Sequence, residues 1–263
     1  MKRIRLTQVF PFLLPLRKKQ RKLFFYIKMK FDSNHYAINQ KDELLEQNIY
    51  QREEAMVNEA SGYDIKYQYN KIHNLKLAAQ VLNGLIIKPN ETFSFWQVIR
   101  HADKKTPFKN GLILVNEKIT EDYGGGLCQL SNLLYRAFLH SDLTIVERAE
   151  HAVESFASQG NEVYGINAAI SEGWLDLKVR NDTEATFQIA VDFPDETIIR
   201  MRLLSDLEQA NAYQIYNLNN DIHPNKDKFY REVSVWRTKT NLLNKEEMKQ
   251  HLYTDKVEIG YKL

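Results

Sequence analysis

The chain has 263 residues, 43% hydrophobic and 11% aromatic, which supports an ordinary folded core and argues against disorder. Net charge is +2, but residues 1–30 hold ten basic side chains and no acid, which leaves 26 bases against 34 acids, a balance of −8, for the rest. The single cysteine, Cys128, excludes an intramolecular disulfide framework and a multi-cysteine zinc site.

The first 30 residues read as a basic arm on a mildly acidic body spanning residues 31–263. Its apolar run, Val9 to Leu16, is too short to span a bilayer and lacks a small-residue cleavage site, so no signal peptide is expected. Leu23, Phe24, Phe25, Tyr26, Ile27 and Met29 lie among lysines. They suit either an interfacial helix on an anionic membrane surface or a helix docked on the domain with a solvated basic face. No recognition motif accompanies the charge, so nucleic acid is not an expected partner.

Asp42 to Ala60 has apolar residues at helical spacing and reads as an amphipathic helix ending near Gly62. Tyr63, Ile65, Tyr67 and Tyr69 alternate as in a half-buried strand. Asn74 is placed to cap a short helix, Leu75 to Leu82. Leu85 to Ile87 reads as a strand before the turn at 88–91, and Thr92 to Trp96 as extended. Leu112–Val115 and Lys118–Ile119 read as a hairpin through Asn116-Glu117. After the central helix, Leu143 to Arg148 reads as a strand that brings His151 to its end. Val163–Tyr164, Ala168–Ile170, Trp174–Val179, Phe187–Val191, Thr197–Leu204, Tyr213–Leu218 and Tyr230–Thr238 read as extended. The pattern predicts one α+β domain with a mostly antiparallel sheet and no internal linker or repeat.

The stretch that concentrates chemistry is Tyr123-Gly124-Gly125-Gly126-Leu127-Cys128-Gln129. Three glycines suit a tight loop. Leu127, Leu130, Leu133, Leu134, Ala137 and Phe138 then recur at helical spacing up to about His140, so Cys128 falls in a first helical turn. Unpaired N–H groups and the helix dipole favour a thiolate there. A lone cysteine in an apolar run is equally a small core residue, and both readings stand.

Asn90-Glu91-Thr92-Phe93-Ser94-Phe95-Trp96, the Gly124–Tyr135 stretch, Glu147-Arg148 with His151, and Leu175-Asp176-Leu177 with Arg180-Asn181-Asp182-Thr183 together resemble the VanW family. Phe10–Arg17 and Asn34-His35-Tyr36-Ala37 resemble its short form, which lacks the membrane anchor of longer relatives. The resemblance implies a cell-envelope context and an accessory role in resistance to vancomycin-type antibiotics. Family members often carry Asp where this chain has Asn167. An Asp-dependent role would be weakened there, whereas an orienting hydrogen bond would survive, since Asn also offers a carbonyl acceptor.

Two functional readings follow, beside a third in which the protein is a purely structural partner that its basic arm tethers to the inner membrane face. In the first, a papain- or transglutaminase-like core places Cys128 to attack a peptide amide and His151 to take and return the proton. Asn167 or Asp176 would orient the imidazole, and the Cys128 amide with Gln129 would hold the oxyanion. In the second, the protein is a non-catalytic binding module. Gly124, Gly125 and Gly126 with the helix start would take an anion, and Trp96, Tyr123 and Trp174 would line a groove unless they are core. A peptidoglycan peptide or precursor is the expected ligand of either, a protein partner is an alternative for the second, and the expected location is cytoplasmic, at the inner membrane face. His73, His101, His140, His151 and His223 show no compact ligand spacing, so neither a metal nor another cofactor is expected.

Overall fold

The computed structural model of the protein describes residues 10–115, 118–154 and 163–261. The first nine residues of the basic arm and the hairpin turn Asn116-Glu117 lie outside the described residues. An 18-residue helix, α1 (Leu14–Phe31), opens the chain, with Pro15 in its first turn, where a missing N–H costs nothing. Two strands follow, β1 (His35–Tyr36) and β2 (Gln47–Ala55), then α2 (Lys66–Leu82), β3 (Leu85–Ile87), β4 (Glu91–Ser94) and the short α3 (Phe95–Ile99). The hairpin β5 (Asn110–Val115) and β6 (Lys118–Tyr123) leads into α4 (Cys128–Leu139). The rest is strand: β7 (Thr144–Glu147), β8 (Val153–Glu154), β9 (Lys178–Arg180), β10 (Phe187–Asp195), β11 (Ile198–Ser205), β12 (Asn211–Asn225), β13 (Lys228–Asn241) and β14 (Glu247–Ile259).

The fold is α+β and mostly antiparallel, as the sequence predicts. One sheet runs β2-β11-β10-β3 and is antiparallel throughout. A second runs β1-β4-β9-β7, with only the β1–β4 pair parallel. A third is the long meander β12-β13-β14, joined at its edge by a parallel β8. Helix α4 packs on β2, β11 and β7, and α2 packs on β10 and on β5. Leu127, Leu130, Leu133, Leu134, Ala137 and Phe138 are all buried, so the apolar stripe read from the sequence is the face that meets the core. Strand and helix order alone does not establish a papain- or transglutaminase-like core.

Several sequence expectations are corrected. Residues 42–60 do not form a helix; Gln47–Ala55 is a strand at the edge of its sheet, paired on one side with β11. Residues 63–69 are not a strand, because the helix that was placed at Leu75–Leu82 already begins at Lys66. Asn74 is therefore not a cap. It is fully buried in mid-helix, where its amide accepts from Lys109 N–H and donates to the carbonyls of Lys109 and Gly125. The segments 163–164 and 168–170 join no strand ladder, and of 174–179 only Lys178 and Val179 belong to one, in β9.

The carbonyl of Gly125 held by Asn74 marks a close backbone approach. A Cβ on Gly125 would lie 2.2 Å from the carbonyl carbon of Gly111, which no ordinary contact allows. Gly125→Ala is therefore expected to cost roughly 1–3 kcal/mol by overpacking. Gly62→Ala, at a positive φ but with nothing within 4 Å, should cost only left-handed strain, about 1 kcal/mol. Urea unfolding of the two variants beside the parent chain checks the order.

Candidate functional site

The start of α4 is where the sequence concentrates its chemistry, and the structure shows what surrounds it. Gly124 and Gly126 adopt positive φ, and the latter lies over Lys71 of α2, whose Cγ would be 2.3 Å from a Cβ at that position. Lys71 makes no hydrogen bond or ion pair among the described residues. Burial pushes its amine down to about 8, against the pull of Glu54. Gln129 donates from Nε2 to the Ala55 carbonyl at 2.8 Å and lies 3.5 Å from Glu54 Oε2. Its Oε1 is buried with no partner among the described residues. No backbone carbonyl of the described residues accepts from the Gly126 or Leu127 amide. The helix start thus gathers two amides with no backbone acceptor, the Lys71 amine and the unpartnered Gln129 Oε1, with the Glu54 carboxylate beside them. Sequence reasoning missed Lys71, because only the packing of α2 under the glycine loop brings it there.

Cys128 is half-buried, and burial pushes its thiol up rather than down. Its own amide and that of Ile170 face the sulfur and oppose this shift without overcoming it. Burial thus works against the thiolate that the helix start was expected to favour, while the two amides work for it. Among the described residues no hydrogen bond joins Cys128 to the His151 ring. His151 lies just past β7, with its backbone N–H donating to Asn167 Oδ1 at 3.2 Å. Burial and the nearby Arg148 charge push its imidazole down to about 4, so the ring is neutral near pH 7.

Asn167 Oδ1 is shared between that backbone N–H and Arg148 Nη2, so it holds backbone and guanidinium, not an imidazole. Arg148 also donates to the carbonyls of Gly165 and Asn167 and makes a bidentate pair with Asp255 of β14 at 2.5 and 2.9 Å. Asp176 is elsewhere. Fully buried, it accepts from Ser94 Oγ at 2.6 Å and from the Trp96 and Leu177 amides, and burial pushes its carboxyl up to about 6. The aromatics do not converge on one groove wall. Trp96 is buried with Nε1 on the Leu175 carbonyl, and Trp174 is exposed beneath Arg21. Tyr123, next to the glycine loop, donates to Asp103 and accepts from the Phe108 amide. No cluster of metal-ligating side chains occurs among the described residues.

The two shifted groups act oppositely on stability in acid. Neutral His151 contributes its full share above its unfolded value of about 6.5 and loses it as pH falls toward 4, worth at most about 3 kcal/mol. Asp176, raised to about 6, adds stability as pH falls from there toward its unfolded value near 4. His151→Gln should flatten the loss of stability between pH 6.5 and 4, and Asp176→Asn should steepen it. Thermal midpoints at several pH values across that window test both signs.

The sequence pattern of a family described as VanW like protein matches residues 70–203, from within α2 into β11. The chain is 46% identical over 265 residues to the Vancomycin B-type resistance protein VanW of Enterococcus faecalis, covering 100% of this chain and 96% of that one. It is also 33% identical over 112 residues to the uncharacterized protein YoaR of Bacillus subtilis, covering 43% of this chain and 36% of that one. No solved structure matches. The glycine-cysteine helix start, Arg148 with Asn167, and the Asp176 site all fall within the stretch 70–203, and the chain belongs to the VanW family.

Proposed function

We propose that this protein is an accessory factor in glycopeptide resistance that binds an anionic peptidoglycan-type peptide or precursor at the start of α4. The observation that carries the role is the 46% identity along the whole length of a vancomycin B-type resistance protein. The mode of action rests on the chemistry of the α4 start. A carboxylate suits the free amides of Gly126 and Leu127 with the Lys71 cation beside them. A peptide N–H suits the buried, unpartnered Gln129 Oε1. A peptide with a free carboxyl terminus offers both groups at once.

The competing reading is a thiol-dependent amide hydrolase or transferase. One observation favours it: two backbone amides face the Cys128 sulfur. The raised thiol and the lack of a hydrogen bond to His151 favour binding instead. Lys71→Met and Gln129→Leu should each weaken binding of a synthetic stem pentapeptide by roughly 10- to 100-fold, as loss of a charged or buried hydrogen bond does. Cys128→Ser should leave binding intact and should still support growth on vancomycin in a strain that depends on this protein. Titration calorimetry and growth assays on the three variants separate the readings. Loss of function in Cys128→Ser alone, with Lys71→Met unaffected, contradicts the binding proposal.

A further inference from the structure

Helix α1 has two faces with different fates. One is docked on the domain. Lys22 pairs with Glu172 at 2.5 Å, and Tyr26 donates to Glu172 at 2.8 Å and to the Trp96 carbonyl at 3.3 Å. Phe25 lies under Lys178, and Met29 is buried. A Cβ on Gly173 would meet the Lys22 backbone at 3.0 Å, so the helix is seated closely.

The opposite face carries Leu16, Leu23, Phe24, Ile27 and Phe31 in register along the helix, with Phe12 continuing the row below its start. All six are exposed, Phe12 by 75% and Phe31 by 80%, although each would normally be covered. On the helical wheel this row lies about 180° from the docked face. Exposed Lys19 and Lys30 line one shoulder of it, and exposed Arg17 and Lys28 the other. The helix has no acidic residue, so nothing on it opposes an anionic surface. No helix among the described residues is long and apolar enough to cross a membrane.

We propose that α1 lies flat in the interface of a bilayer rich in anionic lipid, with the Leu16–Phe31 row among the acyl chains and the flanking lysines at the headgroups. An apolar stripe with basic shoulders is the composition that binds such a surface. The charge arrangement chooses the occupant. A second copy of the chain would bring an equally basic helix against this one, with no acid to meet it. The surface is independent of whatever binds at the start of α4.

The test is co-sedimentation of the full chain with vesicles of phosphatidylcholine alone or with about one-third phosphatidylglycerol. Binding to the anionic vesicles, weakened by salt and absent from the neutral ones, is expected. Lys19→Gln/Lys28→Gln/Lys30→Gln should weaken it about a hundredfold. Leu23→Gln/Phe24→Gln/Ile27→Gln should weaken it at least tenfold without changing the thermal midpoint, since these side chains touch no core. No binding to anionic vesicles overturns the proposal. So does binding that survives the apolar variant, which would be surface charge alone. A concentration-dependent dimer that the apolar variant abolishes, without vesicle binding, shows a second copy as the occupant and overturns it as well.

Discussion

Buried backbone that forms no ladder must find its hydrogen bonds in side chains. The segment from Gly165 to Ile170 is such a stretch, with Ile166, Ala168 and Ala169 buried and no strand assigned. Its groups are taken up one by one. Ser131 donates to the Ala168 carbonyl and Asn132 accepts from the Ala168 amide. Arg148 takes the carbonyls of Gly165 and Asn167, Tyr253 also donates to Gly165, and Ala149 accepts from Ala169. The Ile170 amide faces the Cys128 sulfur. The polar residues of α4, together with Arg148, are thus the ladder this segment lacks.

That constraint gives the signature residues a role without catalysis. Cys128, Ser131 and Asn132 lie on one side of α4 because the segment beside it needs a weak acceptor, a donor and an acceptor in that order. Arg148 then ties the same segment to Asp255 on β14 and packs over Tyr253 at 4.1 Å, which fixes the long meander against the helix. An arginine buried this deeply is tolerable because its hydrogen bonds all go to a carboxylate or to carbonyl oxygens, while its face rests on the Tyr253 and Tyr135 rings. His151 owes its neutral ring first to burial and then to the Arg148 charge, so its shift reflects structure as readily as it would reflect a general base. The glycine loop has a parallel logic. Gly125 lets β5 and the loop touch backbone to backbone, and the two amides after it, beside the half-buried Lys71, find no backbone carbonyl among the described residues.

The strongly patterned elements were legible in the sequence. The stripe of α4 and the alternation of β11 and β13 have a periodicity that burial enforces, and β10 is a short run buried on both faces. Strand β2 was not legible. Its charges, Arg52, Glu53 and Glu54, fit a strand at the edge of its sheet, yet the apolar Leu44, Leu45, Ile49, Met56 and Val57 around them fall at a spacing that mimics an amphipathic helix. The tyrosines before Asn74 alternate by chance of composition, and Tyr69 is exposed on the solvent side of α2. Strand β14 is mostly polar where it pairs with β13 toward the hairpin end, so it left no apolar signal. Cys128, the glycines and Gln129 were found from the motif. Lys71 and the partners of Asn167 and Asp176 were not, because they depend on which distant backbone each side chain meets.

Whether Cys128 belongs to the packing or to chemistry is most directly tested by the pH dependence of its alkylation by iodoacetamide in the native protein, with His151→Ala beside it. A structural cysteine predicts slow alkylation, an apparent pKa above the free-thiol value of about 8.5, and no change on removing His151. A pKa well below that value that rises in His151→Ala would contradict this and establish an activated pair.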